Sequence, residues 1–312
     1  MIRFIISSSI DPYFNLAAEE YFLRETDCEY IFLYQNQPSI IVGKHQNALA
    51  EINLSWVLTN NIPVVRRLSG GGTVFHDLGN LNFCFILKGE EGKLADMKGF
   101  AQPIIRFLQS FGLDAFLGEK NDIRLPSGKV SGNAEHVYRQ RVMHHGTLLY
   151  DADLQSLEEA IRVSPSRFID KAVKSNRSNV INISSHLIKP MSISDFIESL
   201  SCFLSAEFRN FQTYLITVED ENRIQELMKS RYQTWEWNYG YSPNFEMKFV
   251  LNKTKSGIVS VSKGFVQSIS FDDNELNDSL MVDCFTGIKF FPGEFVKHSS
   301  TLMAMSFEKA LF

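Results

Sequence analysis

The sequence predicts an α+β chain of two domains, and three observations carry that reading. Apolar runs of strand length dominate the first half, whereas helical stretches gather near 154–161, 194–205 and 219–231, which is not the alternating βαβ order. The 312 residues exceed what one hydrophobic core usually serves. Near Trp235-Glu236-Trp237-Asn238-Tyr239-Gly240-Tyr241-Ser242-Pro243 the texture changes, so a main domain of residues 1–244 and a small α+β second domain of residues 245–312 are expected.

Met1 to Ile6 reads as a short strand, without the long apolar core and cleavage site of a secretory signal. Asp11 then offers an N-cap and Pro12 the first helical position, and Phe14, Ala17, Ala18 and Tyr21 recur at helical spacing through Arg24. Ile31-Phe32-Leu33-Tyr34 and Ile40-Ile41-Val42, separated by Gln35-Asn36-Gln37-Pro38, read as a hairpin that delivers Gly43-Lys44-His45-Gln46-Asn47 to a loop. A helix near 51–60 precedes a Val64-Val65 strand, a glycine loop and a Thr73-Val74-Phe75 strand. A strand through Asn82-Phe83-Cys84-Phe85-Ile86 and a helix over about 95–111 follow. Asp122-Ile123-Arg124-Leu125 and Lys129-Val130-Ser131 flank Pro126-Ser127-Gly128 as a second hairpin, and Val142 to Tyr150 is a further strand containing His144-His145-Gly146. Beyond the aromatic segment, Ile258-Val259-Ser260-Val261 and Phe265 to Phe271 bracket Ser262-Lys263-Gly264 as a hairpin, and a last helix starts from about Ser299.

Composition narrows the function. A net charge of −5 argues against a mainly electrostatic nucleic-acid binder. No uninterrupted apolar run approaches the roughly 20 residues of a membrane span, so a soluble, cytoplasmic protein is expected. Cys28, Cys84, Cys202 and Cys284 are far apart and form no CxxC, which reads as reduced structural thiols rather than a zinc knuckle or disulfide scaffold.

The segment Arg67-Leu68-Ser69-Gly70-Gly71-Gly72-Thr73-Val74-Phe75 is the most informative part of the chain. Three glycines between two strands leave peptide N–H groups uncovered, so an anion can lie against the backbone with the Arg67 guanidinium beside it; the alternative is a merely flexible loop. No GxxxxGK[ST] spacing is present, which rejects a P-loop. Lys129, where a turn meets a strand, is either a solvated turn charge or a compact cation that neutralises a carboxylate and an attacked phosphate together. Asp122 is the candidate carboxylate for Mg²⁺, which in nucleotide sites takes one or two carboxylates plus phosphate oxygens. His144 and His145 are adjacent on a strand and face opposite sides, so they cannot easily share a metal; by the same argument His76-Asp77 is a polar strand-end pair.

Three ordered motifs, Arg66-Arg67-Leu68-Ser69-Gly70-Gly71-Gly72-Thr73-Val74-Phe75-His76-Asp77-Leu78-Gly79-Asn80, Lys129-Val130-Ser131-Gly132-Asn133-Ala134 and His144-His145-Gly146-Thr147-Leu148-Leu149, resemble the lipoate-protein ligase family. Asn15-Leu16-Ala17-Ala18-Glu19-Glu20, Gly43-Lys44-His45-Gln46-Asn47, Lys174-Ser175-Asn176-Arg177-Ser178-Asn179-Val180-Ile181-Asn182 and the Trp235 segment extend the likeness over essentially the whole chain. The resemblance implies the biotin/lipoate protein ligase fold, related to the class II aminoacyl-tRNA synthetase core, with a C-terminal accessory domain. It also implies a two-step reaction: lipoate and ATP with Mg²⁺ give lipoyl-adenylate, then an acceptor lysine takes the acyl group and AMP leaves. Implied acceptors are the lipoyl domains of 2-oxoacid dehydrogenase E2 subunits and the glycine-cleavage H protein. Carried over by position, Arg67, Gly72, Thr73, Val74 and Phe75 hold the nucleotide phosphate and acyl chain, with Asp122 near the metal or adenylate. Lys129 grips the lipoyl carbonyl and phosphate, while Ser69, Gly71, Asn80, His145 and Tyr34 line the lipoate site. Tyr34 departs from the tryptophan often found in related ligases, which bears on pocket depth and on lipoate against octanoate.

Two other readings compete. An acyl amidotransferase of the same superfamily needs no ATP but must form a cysteine thioester; Cys84 is the cysteine near a motif, yet it lies within the apolar run Phe83-Cys84-Phe85-Ile86. A noncatalytic lipoate- or biotin-binding protein could retain the fold, although the intact arginine, glycine loop and lysine weigh against lost activity.

Overall fold

A computed structural model describes the chain except for residues 90–95, 162–164, 177, 209, 253–254, 273–282 and 300–301. A mixed six-stranded sheet runs in the order Asn133–Tyr138, Arg141–Leu149, Asn80–Lys88, Glu29–Tyr34, Ile2–Ile6 and Phe211–Thr213. The helix Pro12–Arg24 links two parallel strands, Ile2–Ile6 and Glu29–Tyr34, while the other central pairings are antiparallel. Both faces are covered, and the period of two in a strand sorts the side chains between them. Ile31, Leu33, Phe83 and Phe85 pack with the helices Met97–Ser110 and Ile193–Glu207, whereas Phe32, Tyr34, Cys84 and Ile86 face Pro12–Arg24.

The expected hairpin between residues 31 and 42 does not form. Glu29–Tyr34 stays in the large sheet, and Ser39–Val42 becomes the centre of a second one, parallel to Val64–Arg66 and antiparallel to Val74–His76. Both runs are buried, so neither carried the polar alternation that marks partnership in one sheet. The predicted 51–60 helix is two short ones, Ala48–Glu51 and Leu54–Thr59, and the last helix spans Leu302–Leu311. Position 95 of the 95–111 helix lies outside the described residues.

The second predicted hairpin is present as Ile123–Leu125 against Gly128–Ser131. The C-terminal hairpin pairs Ser256–Ser262 with Phe265–Phe271 through Lys263 (φ 51°) and Gly264 (φ 80°), the left-handed pair that suits a tight two-residue turn. Its sheet also recruits Phe168–Asp170, from well before residue 245, against Phe245–Val250. Much of the chain's phenylalanine is spent here: Phe249, Phe271, Phe285 and Phe295 each make ring contacts with Phe307.

Candidate active site

Between the large sheet and the glycine loop lies a cavity of about 230 Å³, lined by Leu16, Tyr34, Ile41 and Val74 on its apolar side and by Arg67, Lys129, Asp122 and His145 among its polar groups. A neighbouring cleft of about 850 Å³ opens beside it, and Thr73, Val74, Lys129, Gly132 and Ser175 line both. The two spaces therefore meet at Lys129 and the end of the glycine loop.

The loop conformation is enforced from behind. Gly71 takes φ 88°, and Gly43 lies so close that a Cβ there would sit 2.1 Å from the Gly71 carbonyl oxygen. Arg67 corrects the sequence expectation of a free anion donor. Its Nε donates to Ser69 Oγ (3.0 Å), Nη2 to the Gly70 and Gly72 carbonyls (2.6 and 2.8 Å) and Nη1 to the Ile41 carbonyl (3.2 Å). Only one Nη1 hydrogen is left over, so Arg67 mainly holds the loop in shape. Burial pushes this guanidinium down to about 10, partly offset by Glu19 and Tyr34.

The loop amides are not all bare either. Thr73 N donates to Ser175 Oγ (2.9 Å), Thr73 Oγ1 to Gln46 Oε1 (2.9 Å) and Gln46 Nε2 to Ser175 Oγ (3.0 Å), while Ser175 donates in turn to Glu51. Ser175 thus ties the segment of residues 173–176 across the loop. Gly72 gives it room, since a Cβ there would lie 3.1 Å from Ser175 Oγ.

Lys129 is fixed through its backbone. Its N–H donates to the Asn179 carbonyl (2.9 Å) and its carbonyl accepts from Ile181 N–H (3.0 Å), an isolated bridge added to the hairpin. The ammonium is partly buried and, among the described residues, has no hydrogen-bond or salt-bridge partner; burial lowers its pKa, with Asp122 pulling the other way. Asp122 is ion-paired with Arg124 (3.0 Å). Among the described residues no three His, Cys, Asp or Glu side chains cluster for a metal. Asp122 alone at the cavity fits an ion whose remaining ligands are phosphate and water.

His144 and His145 diverge as expected. His144 stacks on Phe100 and bonds Glu135 (2.9 Å), away from the cavity. His145 Nδ1 meets the Glu19 carboxylate at 2.8 Å, so the proton sits on Nδ1 and Nε2 accepts from Ser69 Oγ at 2.6 Å; Tyr34 donates to the same Glu19 (3.0 Å). Asn80 stands one step back from the cavity, its Nδ2 donating to Asn82 Oδ1 (3.0 Å), and Asn82 lines the space instead. Asp77 is taken up by the Gly79 and Asp153 amides, while His76 lines the cavity. Phe75 borders the larger cleft. Arg177 lies outside the described residues.

Across the chain, residues 11–205 match the lipoyl protein ligase A/B catalytic domain. The chain belongs to the lipoyl protein ligase A/B family. It is 43% identical to the lipoate-protein ligase LplJ of Bacillus subtilis over 76% of this chain and 73% of that one. It is 40% identical to lipoate–protein ligase 1 of Staphylococcus aureus over 87% and 80%. Among solved structures it resembles a lipoate-protein ligase A bound with ATP, at 25% identity and TM-score 0.65 over 77% and 98%. The bi-partite lipoate protein ligase of Thermoplasma acidophilum, described together with its E2 lipoyl domain, matches at 26% and 0.64 over 77% and 96%.

Cys84, the candidate thiol for a thioester enzyme, is a poor nucleophile here. It is fully buried, does not line either cavity, and burial beside Glu19 raises its thiol pKa far above the ordinary value. Reading the sequence residue by residue missed Gln46, Glu51 and Ser175 as the clamp on the loop, and Glu19 as the partner of His145. A signal existed for Glu19: with Asn15 it forms an i, i+4 polar pair inside an otherwise buried helix face.

Proposed function

We propose that the chain is an ATP-dependent lipoate–protein ligase whose smaller cavity takes the acyl tail and whose larger cleft takes the nucleotide. The observation that carries this reading is the Lys129 ammonium, without a partner among the described residues, where the two spaces meet. A carboxylate oxygen attacking the α-phosphate suffers charge repulsion, and a desolvated cation between them relieves it most in the transition state. Pyrophosphate leaves, and the acceptor lysine amine then attacks the acyl carbonyl, with AMP as leaving group and the amine proton lost. Gly71 and Gly72, in the loop held by Arg67, line the smaller cavity with Tyr34 and Ile41, which exclude water from the tail, while Thr73 and Val74 border both spaces. Asp122, which lines the smaller cavity together with Lys129, would hold Mg²⁺, and the ion would supply charge neutralisation where the two spaces meet.

Acceptors of the lipoyl-domain type, E2 subunits or the H protein, suit an amine nucleophile. A cytoplasmic setting suits an ATP consumer with free cysteines. We further place the parting of the two domains near residue 244, the strand Phe168–Asp170 serving as the stitch between them. The test is incubation with lipoate, Mg²⁺-ATP and a purified lipoyl domain, with mass spectrometry of that domain. A lipoyl mass increment that requires ATP is expected; no increment, or one that persists without ATP, overturns the reading.

A further inference from the structure

Thr147 lines both the smaller cavity and the larger cleft, and among the described residues its hydroxyl proton has no acceptor. We propose that Thr147 is a further catalytic residue, its Oγ1–H donating to the acyl carbonyl oxygen beside Lys129 and stabilising the negative charge that gathers there during transfer to the acceptor amine. This rests on the ligase reading above.

The strand places this residue where the two spaces meet. Side chains alternate along Arg141–Leu149, so His145, Thr147 and Leu149 share one face while Leu148 packs in the core behind. His145 lines only the smaller cavity, Leu149 only the larger cleft, and Thr147 both. The side chain is also held in direction: Thr147 N–H donates to the Gly132 carbonyl, and Gly132 N–H donates to Thr147 Oγ1, each at 3.1 Å. A threonine hydroxyl has one proton and two lone pairs, so accepting from Gly132 leaves the proton to be given elsewhere. Gly132 supplies the space as well, since a Cβ there would lie 3.2 Å from Lys129 Nζ and 3.9 Å from Thr147 Oγ1. The ammonium and the hydroxyl thus border one opening.

Charge movement assigns the step. A tail seated in the smaller cavity ends in its carboxyl group, which must reach this opening to meet the nucleotide. When one carboxylate oxygen attacks the α-phosphate, the other loses negative charge and becomes a carbonyl oxygen, so a donor on it gains nothing in that transition state. When the acceptor amine attacks the acyl carbon, the C=O electron pair moves onto the same oxygen. It returns as the bond to AMP breaks and the amine proton leaves to water. A donor already held in place strengthens on that oxygen without reorganisation. Lys129 carries the first step and Thr147 the second.

The test separates the steps in single turnovers: pyrophosphate release from lipoate and Mg²⁺-ATP without acceptor, and transfer from preformed lipoyl-adenylate to a lipoyl domain. Thr147→Val, which keeps the side-chain shape, should transfer about a hundredfold more slowly yet release pyrophosphate at the parental rate. Thr147→Ser should restore transfer. A merely structural role, in which losing the Gly132 contact displaces Lys129, slows pyrophosphate release too. Slowing of both steps alike, or parental transfer in folded Thr147→Val, therefore refutes the proposal. If Thr147→Val does not fold, Lys129→Met decides, because Thr147 is then the donor left at the opening. Lipoyl-adenylate isotope-labelled at the carbonyl and bound to Lys129→Met should show its stretch below the value in an aprotic solvent, and an unshifted stretch refutes the proposal. No pyrophosphate release by the wild type with lipoate and Mg²⁺-ATP refutes instead the ligase reading on which the proposal stands.

Discussion

Replacing Lys129 with methionine removes an ammonium while keeping an unbranched stem of similar length. The backbone bridge to Asn179 and Ile181 does not depend on the side chain, and no salt bridge among the described residues is broken. Since burial lowers the lysine pKa, its charged form is worse off folded than unfolded, so the variant should be at least as stable as the parent. The catalytic loss runs the other way: deleting one preorganised electrostatic contact to a reacting centre costs on the order of 10²–10³ in rate. Lys129→Arg should not rescue it, because a Cβ at Gly132 would already lie 3.2 Å from Nζ and a planar fork needs more room than an ammonium. Pyrophosphate release with lipoate and Mg²⁺-ATP, beside thermal melting, measures both sides. A folded Lys129→Met enzyme that releases pyrophosphate at the parental rate refutes the reasoning.

Ser175→Ala should cost about 1 kcal/mol of stability yet tighten ATP binding up to about tenfold, since Thr73 N–H then lacks its internal acceptor; weaker binding by calorimetry would assign Ser175 to the ligand instead. A variant with Cys28, Cys84, Cys202 and Cys284 all replaced by Ser or Ala, checked first by its melting curve, should still lipoylate an acceptor with ATP. Acyl transfer without ATP that one cysteine substitution blocks would favour a thioester enzyme. His76 stays neutral in the folded state down to about pH 3 but takes up a proton near 6.5 when unfolded. Its contribution is complete above pH 6.5 and is lost as pH falls toward 3, at about 1.4 kcal/mol per pH unit. Chemical denaturation from pH 7 to 4 should show a shallower acid limb in His76→Gln, and an unchanged limb would contradict the burial argument.

The sequence exposed the glycine loop, the Lys129 hairpin and the divergence of His144 from His145 because each rests on local rules: backbone freedom, turn chemistry and the strand period. What it hid is non-local. Tyr34 and Ser39 are five residues apart yet enter different sheets, because the intervening Asn36 bonds to Asn15 and His76 rather than closing a hairpin turn. Phe168–Asp170 is too short to signal a strand and gains its meaning from Phe245–Val250, more than seventy residues later. Ser175 looked like one polar residue in a loop; its role arises where three separate segments converge.

The two adjacent arginines show how the site depends on the rest of the chain. Successive strand side chains point to opposite faces, so Arg66 and Arg67 diverge. Arg67 turns toward the glycine loop; Arg66, wholly buried, donates to the carbonyls of Gly43, Lys44 and Gln46 on one side and of Trp237 and Asn238 on the other. Among the described residues no carboxylate compensates it, and burial pushes it down to about 10. A buried cation without a counter-ion is tolerable only when carbonyl oxygens fill its donor positions, so these backbone segments are held together or the charge is stranded. Gln46 then passes the constraint forward, its carbonyl on Arg66 and its side chain on Gly43 N, Thr73 and Ser175. The aromatic turn before the C-terminal sheet and the glycine loop are thereby joined through one glutamine. The physical reason for two arginines in sequence is that one shapes the loop and the other anchors the frame against which it is shaped.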